Sequence, residues 1–178
     1  METHDQLLDQ APPAGAADVA STQREVVVRL AHSPDEAQLF RTVGTIVDEL
    51  YPDGREKLMA KLFANIALGR HSFVVSIGEQ IVAYAAETPK PGGRLKLSTF
   101  WVREDSRRRG IGRLLIEYLV ERWLAAGTAA VHVTVRAGRE QELLGLLSEF
   151  GFTQVALVPD RYGRGRDEVV LLWTKESA

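Results

Sequence analysis

The sequence predicts a single α/β domain in which a mixed sheet has helices on both of its faces. The length of 178 residues fits one domain, since domains usually contain about 100–200 residues. The composition, 45% hydrophobic and 26% charged, is typical of a soluble chain that can bury a core. Segments with strand and helix patterns follow one another without strict alternation, which favours a mixed sheet over a purely parallel one.

We expect the domain to span residues 24–178 and residues 1–23 to form a flexible tail. The tail is rich in alanine and proline, has no hydrophobic period, and contains four acidic residues with no lysine or arginine. Because the whole chain has a net charge of −2, the remaining residues carry a net charge of +2. Such a mildly basic domain can attract a compact anion, but its charge argues against a general nucleic-acid binder.

Local patterns in the first half predict a strand, two helices and three further strands. The β-branched segment Glu25–Leu30 predicts the first strand. Ser33 and Pro34 are typical of a helix start, and apolar residues at helical spacing continue this helix to Leu50. A second helix is predicted at about 55–68. The three strands that follow are predicted at 73–77, 81–87 and 94–103, with a loop at 88–93.

The second half predicts a helix, a strand, a helix and two last strands. The helices at 110–126 and 140–150 are expected to end before Gly127 and Gly151, because glycine readily adopts the left-handed conformation that ends helices. The strands are predicted at 130–136, 152–158 and 168–173, with a polar loop at 159–167 that contains Tyr162. The aromatic residues expected in the hydrophobic core are Phe40, Phe63, Trp123 and Trp173.

The most informative segment joins the strand that ends at Val102 to the helix that begins near Gly110. It contains Arg107, Arg108, Arg109, Gly110, Ile111, Gly112 and Arg113. The first turn of a helix has unpaired N–H groups and a partial positive charge, so each arginine there is disfavoured by about 0.3–1 kcal/mol. This unfavourable placement of the arginines is explained if a multiply charged anion binds at the helix start. The glycines, which have no side chain, would let a phosphate approach the backbone. The alternative is a solvated basic loop with a glycine turn.

Several other classes of site are excluded or disfavoured. The chain has no cysteine, which excludes disulfides, thiolate catalysis and zinc–cysteine sites. The histidines are too far apart for a local ligand pair, so no metal is expected; they are His4, His32, His71 and His132. Leu115 stands where a dinucleotide-binding motif would have its third glycine. No apolar run approaches about 18 residues and no secretory signal pattern is present, so we expect a cytoplasmic protein without a membrane span.

The loop and its surroundings resemble the acetyl-CoA-binding motif of the GCN5-related N-acetyltransferase (GNAT) family. The matching residues are Val102, Arg107, Gly110, Ile111, Gly112, Leu114 and Leu115. Glu149–Phe152 is similar to the family's Gly-Phe signature, whereas Glu104, Ser106 and Arg108 stand where the family usually has proline, an aromatic residue and glycine. The element order also fits. The resemblance therefore implies a GNAT-like fold with a mixed, mostly antiparallel sheet of about seven strands and about four helices.

The resemblance further implies acetyl-CoA as co-substrate and direct transfer of its acetyl group to an amine, without a metal. Phe100, Trp101 and Val102 would offer backbone groups to the pantetheine arm, and the Val102 N–H would stabilise the developing oxyanion. The residues from Arg107 to Arg113 would surround the pyrophosphate. The expected partner is a small-molecule or peptide amine, and the expected state is a monomer or a homodimer.

The usual general base and acid of the family are missing from the matching positions. Its two common glutamate positions fall on Thr134 and Lys96, and its tyrosine position falls on Leu147. His132 shares a strand face with Thr134, and a histidine suits a base near pH 7. The alternative for His132 is an ordinary exposed strand residue. Glu87, near the end of its strand, is the second candidate base. Glu168 is expected to be a charge at the rim of the site.

Three interpretations of function follow from these observations. The leading one is an N-acetyltransferase with an acceptor that the sequence does not identify. The missing glutamate and tyrosine favour a second, a catalytically silent acyl-CoA-binding or regulatory module. The arginines at 107–109 and in 161–166 suggest a third, an RNA-directed acetyltransferase, against which the charge of +2 argues.

Overall fold

The seven strands and four helices that the sequence predicts are present in the computed structural model, which describes residues 25–50, 53–138, 140–161, 163–165 and 167–177. The predicted tail at residues 1–23 and Tyr162 lie outside the described residues. The strands are β1 (Val26–Leu30), β2 (Ser72–Ile77), β3 (Gln80–Lys90), β4 (Arg94–Val102), β5 (Ala130–Arg136), β6 (Thr153–Val158) and β7 (Glu168–Thr174). The helices are α1 (Glu36–Leu50), α2 (Gly54–Ala67), α3 (Ile111–Ala125) and α4 (Glu140–Leu147).

The strands form one sheet in the order β1-β2-β3-β4-β5-β7-β6. Neighbouring strands are antiparallel, except for β4 and β5, which are parallel and are connected through α3. This arrangement confirms the mixed, mostly antiparallel sheet. It also puts the end of β4 and the start of α3 next to the parallel pair, where the sequence predicts the anion site.

Strand β3 continues three residues past its predicted end. The sequence places a loop at 88–93, but β3 continues to Lys90, and Pro89 lies opposite Leu95 of β4. Proline is excluded from the middle of a sheet because it cannot donate a ladder hydrogen bond. Beyond Ala86, however, β3 pairs with β4 alone, so Pro89 interrupts no second ladder.

The helices cover the two faces of the sheet with two separate cores. On one face, which we call the α3 face, residues of α3 and α4 pack over Phe73, Val131 and Trp173, and Trp123 of α3 lies 5.3 Å from Trp173 between ring centroids. On the other, the α1–α2 face, α1 and α2 pack over Val74, Tyr84 and Trp101. The predicted core positions of Trp123 and Trp173 are confirmed.

The prediction that Phe40 and Phe63 belong to the core is wrong. Their side chains are 41% and 48% exposed. In α1, Leu39 and Val43 face the sheet, and in α2, Leu58 and Leu62 do. Each phenylalanine follows one of these residues and is therefore turned by about 100° around the helix axis, away from the sheet. The Arg55 guanidinium lies 5.0 Å from the centre of the Phe40 ring and covers part of it.

Candidate active site

Strands β4 and β5 pair along only part of their length. Arg94–Leu97 pairs with Ala130–Val133, whereas residues 98–102 of β4 and 134–136 of β5 continue without pairing to each other. Parallel strands that separate in this way leave an opening lined by backbone groups. We call this opening the β4–β5 slot. It follows five residues of β4, a length of roughly 16 Å.

An extra residue in β4, Ser98, marks the point where the strands separate. The β3–β4 register shifts between Ala86, which faces Thr99, and Glu87, which faces Leu97. The Ser98 hydroxyl donates to the Ala86 carbonyl at 3.0 Å, which fixes the irregularity. A bulge of this kind bends its strand and increases its twist. Strand β4 therefore turns away from β5 where the slot begins.

The backbone groups that face the slot follow from the alternation of the antiparallel β3–β4 ladder. The Arg103 amide donates to the Val82 carbonyl at 2.8 Å, on the β3 side. Because the N–H and C=O of successive residues point to opposite sides of a strand, Trp101 also faces β3, whereas Phe100 and Val102 face the slot. Trp101 contributes its side chain to the α1–α2 core instead. Of the three residues predicted to offer backbone groups to a pantetheine arm, the geometry favours Phe100 and Val102.

The slot leads at one end to the start of α3. Gly110 is the N-cap of this helix, with φ of +80°, and no atom lies within 4 Å of the position that a Cβ would occupy there. Arg108 also has a positive φ, +60°, which is the conformation that favours the glycine the family usually has at this position. The N-cap of α3 is therefore exposed, as an anion site at the first N–H groups of a helix requires.

Gly110 and Gly112, the two glycines of the motif, occupy different surroundings. A Cβ on Gly110 would meet open space, but a Cβ on Gly112 would lie 3.2 Å from Leu146 Cδ2 and 3.5 Å from Val102 Cγ2. Gly112 thus permits α3 to approach both α4 and β4 closely. The sequence interpretation, in which both glycines open the backbone to a phosphate, fits Gly110 and needs this correction for Gly112.

The arginines of the segment Arg107–Arg113, which we call the arginine loop, are held to different degrees. The Arg107 side chain donates through Nε to the Val102 carbonyl at 3.1 Å, which joins the loop to the end of β4. Arg113 forms an ion pair with Glu149 and lies 5.6 Å from the centre of the Phe150 ring. Arg108 and Arg109 are exposed and enter none of the ion pairs found among the described residues. These two side chains are available to a bound phosphate.

His132 lies at the closed end of the slot, on the α1–α2 face. It pairs in register with Lys96, one position before the last β4–β5 pair. Its neighbours Val131 and Val133 are buried on the α3 face, so His132 and Thr134 face the other way and are half-buried. Partial burial, followed by repulsion from Lys96 and Lys90, lowers the pKa of His132 below its usual value. The imidazole is therefore mostly neutral at pH 7 and able to accept a proton.

Val102 and His132 are at opposite ends of the slot. Val102 contacts the position of Gly112 at the arginine loop, whereas His132 faces Lys96, six residues earlier in β4 and roughly 20 Å away along the strand. One reacting carbonyl cannot contact both residues. The Phe100 N–H, which also faces the slot, is closer to the closed end.

The structure does not bring Glu87 and His132 together. Glu87 lies on the α3 face and is only 4% exposed. Its Oε1 accepts a hydrogen bond from Trp123 Nε1 at 2.5 Å, and its Oε2 lies 3.1 Å from His71 Nδ1. Tyr84 faces the opposite side, as the odd spacing of the two residues predicts, and contacts the Ser72 hydroxyl at 3.2 Å. Both Glu87 oxygens are therefore engaged in the core beside α3.

The prediction that Glu168 is a rim charge is wrong, because its side chain is only 2% exposed. Glu168 begins β7 opposite Arg136, and the buried Val169 beside it faces α3, so Glu168 faces the α1–α2 side. Its Oε2 lies 3.3 Å from Arg161 Nε. Alternation along β7 could have identified this face from the sequence. The burial could not be predicted, because it depends on neighbouring strands and on the loop before β7.

Leu147, at the position of the family's tyrosine, is fully buried on the α3 face. No phenol is therefore present where the family commonly has its general acid. The catalytic part of the site differs from the common family pattern at all three of the usual acid and base positions, whereas the arginine loop differs from it at Arg108.

The family profile described as "Acetyltransferase (GNAT) family" matches residues 40–152 of this chain. This range covers the slot, the arginine loop and His132, and it is more than half of the sequence. The chain therefore belongs to the GNAT acetyltransferase family, and it is an acetyltransferase of that family. No curated protein matches the sequence. Within the described ranges, no helix is long and apolar enough to span a membrane.

Solved structures show the same fold at low sequence identity. The ribosomal-protein-alanine N-acetyltransferase from Brucella melitensis has a TM-score of 0.71 and 20% identity, over 83% of this chain and 99% of that one. The yncA protein from Salmonella typhimurium, solved with its cofactor acetyl-CoA, has a TM-score of 0.71 and 17% identity, over 84% and 94%. Naa50 from Arabidopsis thaliana, in complex with the bisubstrate analogue CoA-Ac-MVNAL, has a TM-score of 0.67 and 20% identity, over 84% and 98%.

Proposed function

We propose that this protein transfers the acetyl group of acetyl-CoA directly to the amine of an acceptor. The observation that carries the proposal is that the exposed N-cap of α3, the unpaired edge of β4 and the half-buried His132 follow one another along the slot. The slot offers a phosphate site at one end and a base at the other. The expected cytoplasmic location and the expected monomer or homodimer state stay predictions.

The residues along the slot fit an elongated ligand with phosphates at one end. The N–H groups at the start of α3, together with Arg108 and Arg109, would hold the pyrophosphate. The backbone groups of Phe100 and the Val102 N–H would pair with the amides of the pantetheine arm, as a peptide pairs with a sheet edge. Acetyl-CoA supplies an activated acetyl thioester when it is bound.

At the closed end of the slot, the chain's own groups can assist the reaction in two ways. The Phe100 N–H donates to the acetyl oxygen as negative charge develops on it, a role the sequence analysis assigned to Val102. His132 accepts the proton that the attacking amine releases, through ordered water, because Phe100 lies four residues beyond Lys96, the partner of His132, or roughly 13 Å along the strand. We propose that Glu87 is structural, because both of its oxygens are already bonded.

A catalytically silent acyl-CoA-binding module is the second candidate. It is favoured by Thr134, Lys96 and Leu147, which replace the family's usual acid and base residues. The position of His132 favours the enzyme, because it places a ring that can accept a proton beside the slot. The two candidates differ in one measurable property, the release of free thiol in the presence of an amine.

The test is thiol release from acetyl-CoA across a panel of amines, with mass spectrometry of the acetylated products. We expect an acceptor-dependent release and a drop of about 10²-fold or more in kcat for His132→Asn, since a general base commonly contributes 10²–10⁴-fold. The Tm increase with acetyl-CoA should be retained in His132→Asn. Acetyl-CoA binding without turnover of any amine would favour the silent module, and absence of binding would refute both.

A further inference from the structure

Four cationic side chains lie around the closed end of the slot. The strand registers put Lys96 and Lys90 on the α1–α2 face with His132, and Arg161 lies 3.3 Å from Glu168, which is on the same face. Lys96 belongs to β4, Lys90 ends β3, Lys61 belongs to α2, and Arg161 precedes β7. We call this group the cationic cleft. Burial and then repulsion from Lys96 and Lys90 lower the pKa of Lys61, and the pKa of Lys96 is lowered by burial and by repulsion from Arg161 and Lys90. Lys61, Lys90 and Lys96 are thus close enough to repel one another, and Arg161 is close enough to repel Lys96.

The cationic cleft has more positive than negative charge. Among the ion pairs of the described residues, none involves Lys61 or Lys96. The carboxylate that acts on Lys96 is Glu168, which already lies 3.3 Å from Arg161. Within the same part of the chain, the buried Oε2 atom of Glu168 has no hydrogen bond. Among the described residues, Glu168 acts on Arg161 and Lys96 and has incomplete hydrogen bonding of its own, so the group keeps an excess of positive charge.

Half-buried ammonium groups without counter-ions destabilise the folded protein. Burial disfavours the charged form of each lysine, and the like charges repel one another. A sequence selected for stability alone would place an acidic or an apolar residue at Lys61 or Lys96. An anion bound in the cleft would reduce both unfavourable effects.

An acceptor must approach the slot from the face that contains this cleft. The α3 face beside the slot is filled by the apolar core, including Val133, Leu147 and Val169. On the α1–α2 face, His132 and Thr134 of β5 and Val170 and Leu172 of β7 are half-buried, so this part of the sheet is incompletely covered. The acceptor therefore meets the cationic cleft as it reaches His132.

We propose that the cationic cleft binds an acidic group of the acceptor, so that the preferred acceptors are amines that also carry a carboxylate or a phosphate. This inference rests on the proposed acetyl transfer, because it assigns the specificity of the same site. Lysine ammonium groups bind either acid as point charges, so the shared chemistry is an amine with a neighbouring anion. Amino acids, aminoalkyl phosphates and peptides with an acidic residue beside the free amine have this chemistry.

The test compares amines in matched pairs that differ only in the acidic group. The pairs are an amino acid and its amide, phosphoethanolamine and ethanolamine, and peptides with aspartate or asparagine at the second position. We expect the acidic member of at least one pair to have a kcat/KM about tenfold higher or more, since hydrogen bonds to charged groups are worth about 1.5–3 kcal/mol. The pair with the largest ratio identifies which acid is bound.

Three lysine variants then locate the effect. Lys96→Met and Lys61→Met should each reduce the acidic-to-neutral ratio of kcat/KM by several-fold while leaving the Tm increase with acetyl-CoA unchanged. Lys57→Met is the matched control, because Lys57 lies on the same helix as Lys61 but is exposed and pairs with Asp53 at 3.9 Å. This control should keep the ratio of the unmodified protein.

The outcomes separate this inference from the proposed function. Acetylation of neutral amines as fast as their acidic partners, or an unchanged ratio in both Lys96→Met and Lys61→Met, would overturn the inference and leave acetyl transfer standing. If no amine reacts, the proposed acetyl transfer is refuted, and the inference about the cationic cleft is then tested by ligand binding alone. In that case the CoA-saturated protein should gain Tm with an N-acetyl amino acid and not with its amide, and equal gains would overturn the inference.

Discussion

The two cationic regions of this protein, the arginine loop and the cationic cleft, are built in opposite ways. The arginine loop is continuous in sequence, and Arg108 and Arg109 are exposed beside the start of α3. The cationic cleft takes its charges from α2, β3, β4 and the loop before β7, and Lys61 and Lys96 are half-buried. An exposed guanidinium keeps most of its hydration when no ligand is bound. A half-buried ammonium has lost part of its hydration even without a ligand. We therefore assign binding of the cofactor phosphates to the arginine loop, and selection among acceptors to the cationic cleft.

The largest expected effect is at the arginine loop, in Gly110→Glu. Position 110 has a positive φ and faces open space at the proposed phosphate site, so a carboxylate there would repel the phosphates of the ligand. We expect the Kd for acetyl-CoA, measured by calorimetry, to rise about 100-fold or more, corresponding to about 2.7 kcal/mol.

Gly127→Glu is the matched control for this change. Gly127 also has a positive φ and open space around it, but it follows the other end of α3. The two variants carry similar backbone strain, so only Gly110→Glu should lose acetyl-CoA affinity. Equal losses in both variants would contradict the assignment of the phosphate site.

A second prediction separates the packing role of Gly112 from ligand binding. Gly112→Val should lower the free energy of unfolding by about 1–3 kcal/mol, because the added carbons collide with Leu146 and Val102. Gly145→Val, in α4, is the control, because a Cβ at Gly145 has no atom within 4 Å. Urea denaturation of the free proteins measures both, and equal stability of the two variants would show that Gly112 is not a packing residue.

A third and smaller effect concerns the cleft and the proton affinity of His132. Lys96→Met removes a positive charge that disfavours the imidazolium, so the pKa of His132 should rise. Because the neutral ring is the proposed base, the acidic limb of kcat/KM should then move to higher pH. An NMR titration of the His132 ring measures the pKa, with Lys57→Met as the control that should not change it. A fall in the pKa of His132 would contradict the electrostatic role of Lys96.

The arginine loop and the strand order could be predicted from the sequence because their signals are local. The segment from Val102 to Leu115 carries its strand, turn and helix start in fourteen consecutive residues, and the structure keeps that order. The burial of Glu168 and the exposure of Phe40 could not be predicted in this way. They depend on which face of each element meets a neighbour that is distant in sequence.

The cationic cleft was missed for the same reason. Lys96 and His132 are 36 positions apart in the sequence, and only the parallel register of β4 and β5 brings them side by side. Lys61 joins them from a helix that precedes the strands in the chain. Glu87 shows the same dependence on distant residues, because its place near a strand end suggests a base, whereas Trp123, 36 positions later, holds it in the core.

Amide hydrogen exchange on β4, with and without acetyl-CoA, tests the central claim most directly. The Phe100 and Val102 amides face the slot, whereas the Trp101 amide faces β3. We predict that saturating acetyl-CoA slows exchange at Phe100, Val102 and the first amides of α3, and leaves Trp101 nearly unchanged. Unchanged exchange at Phe100 and Val102 in the saturated protein would contradict the slot as the binding site.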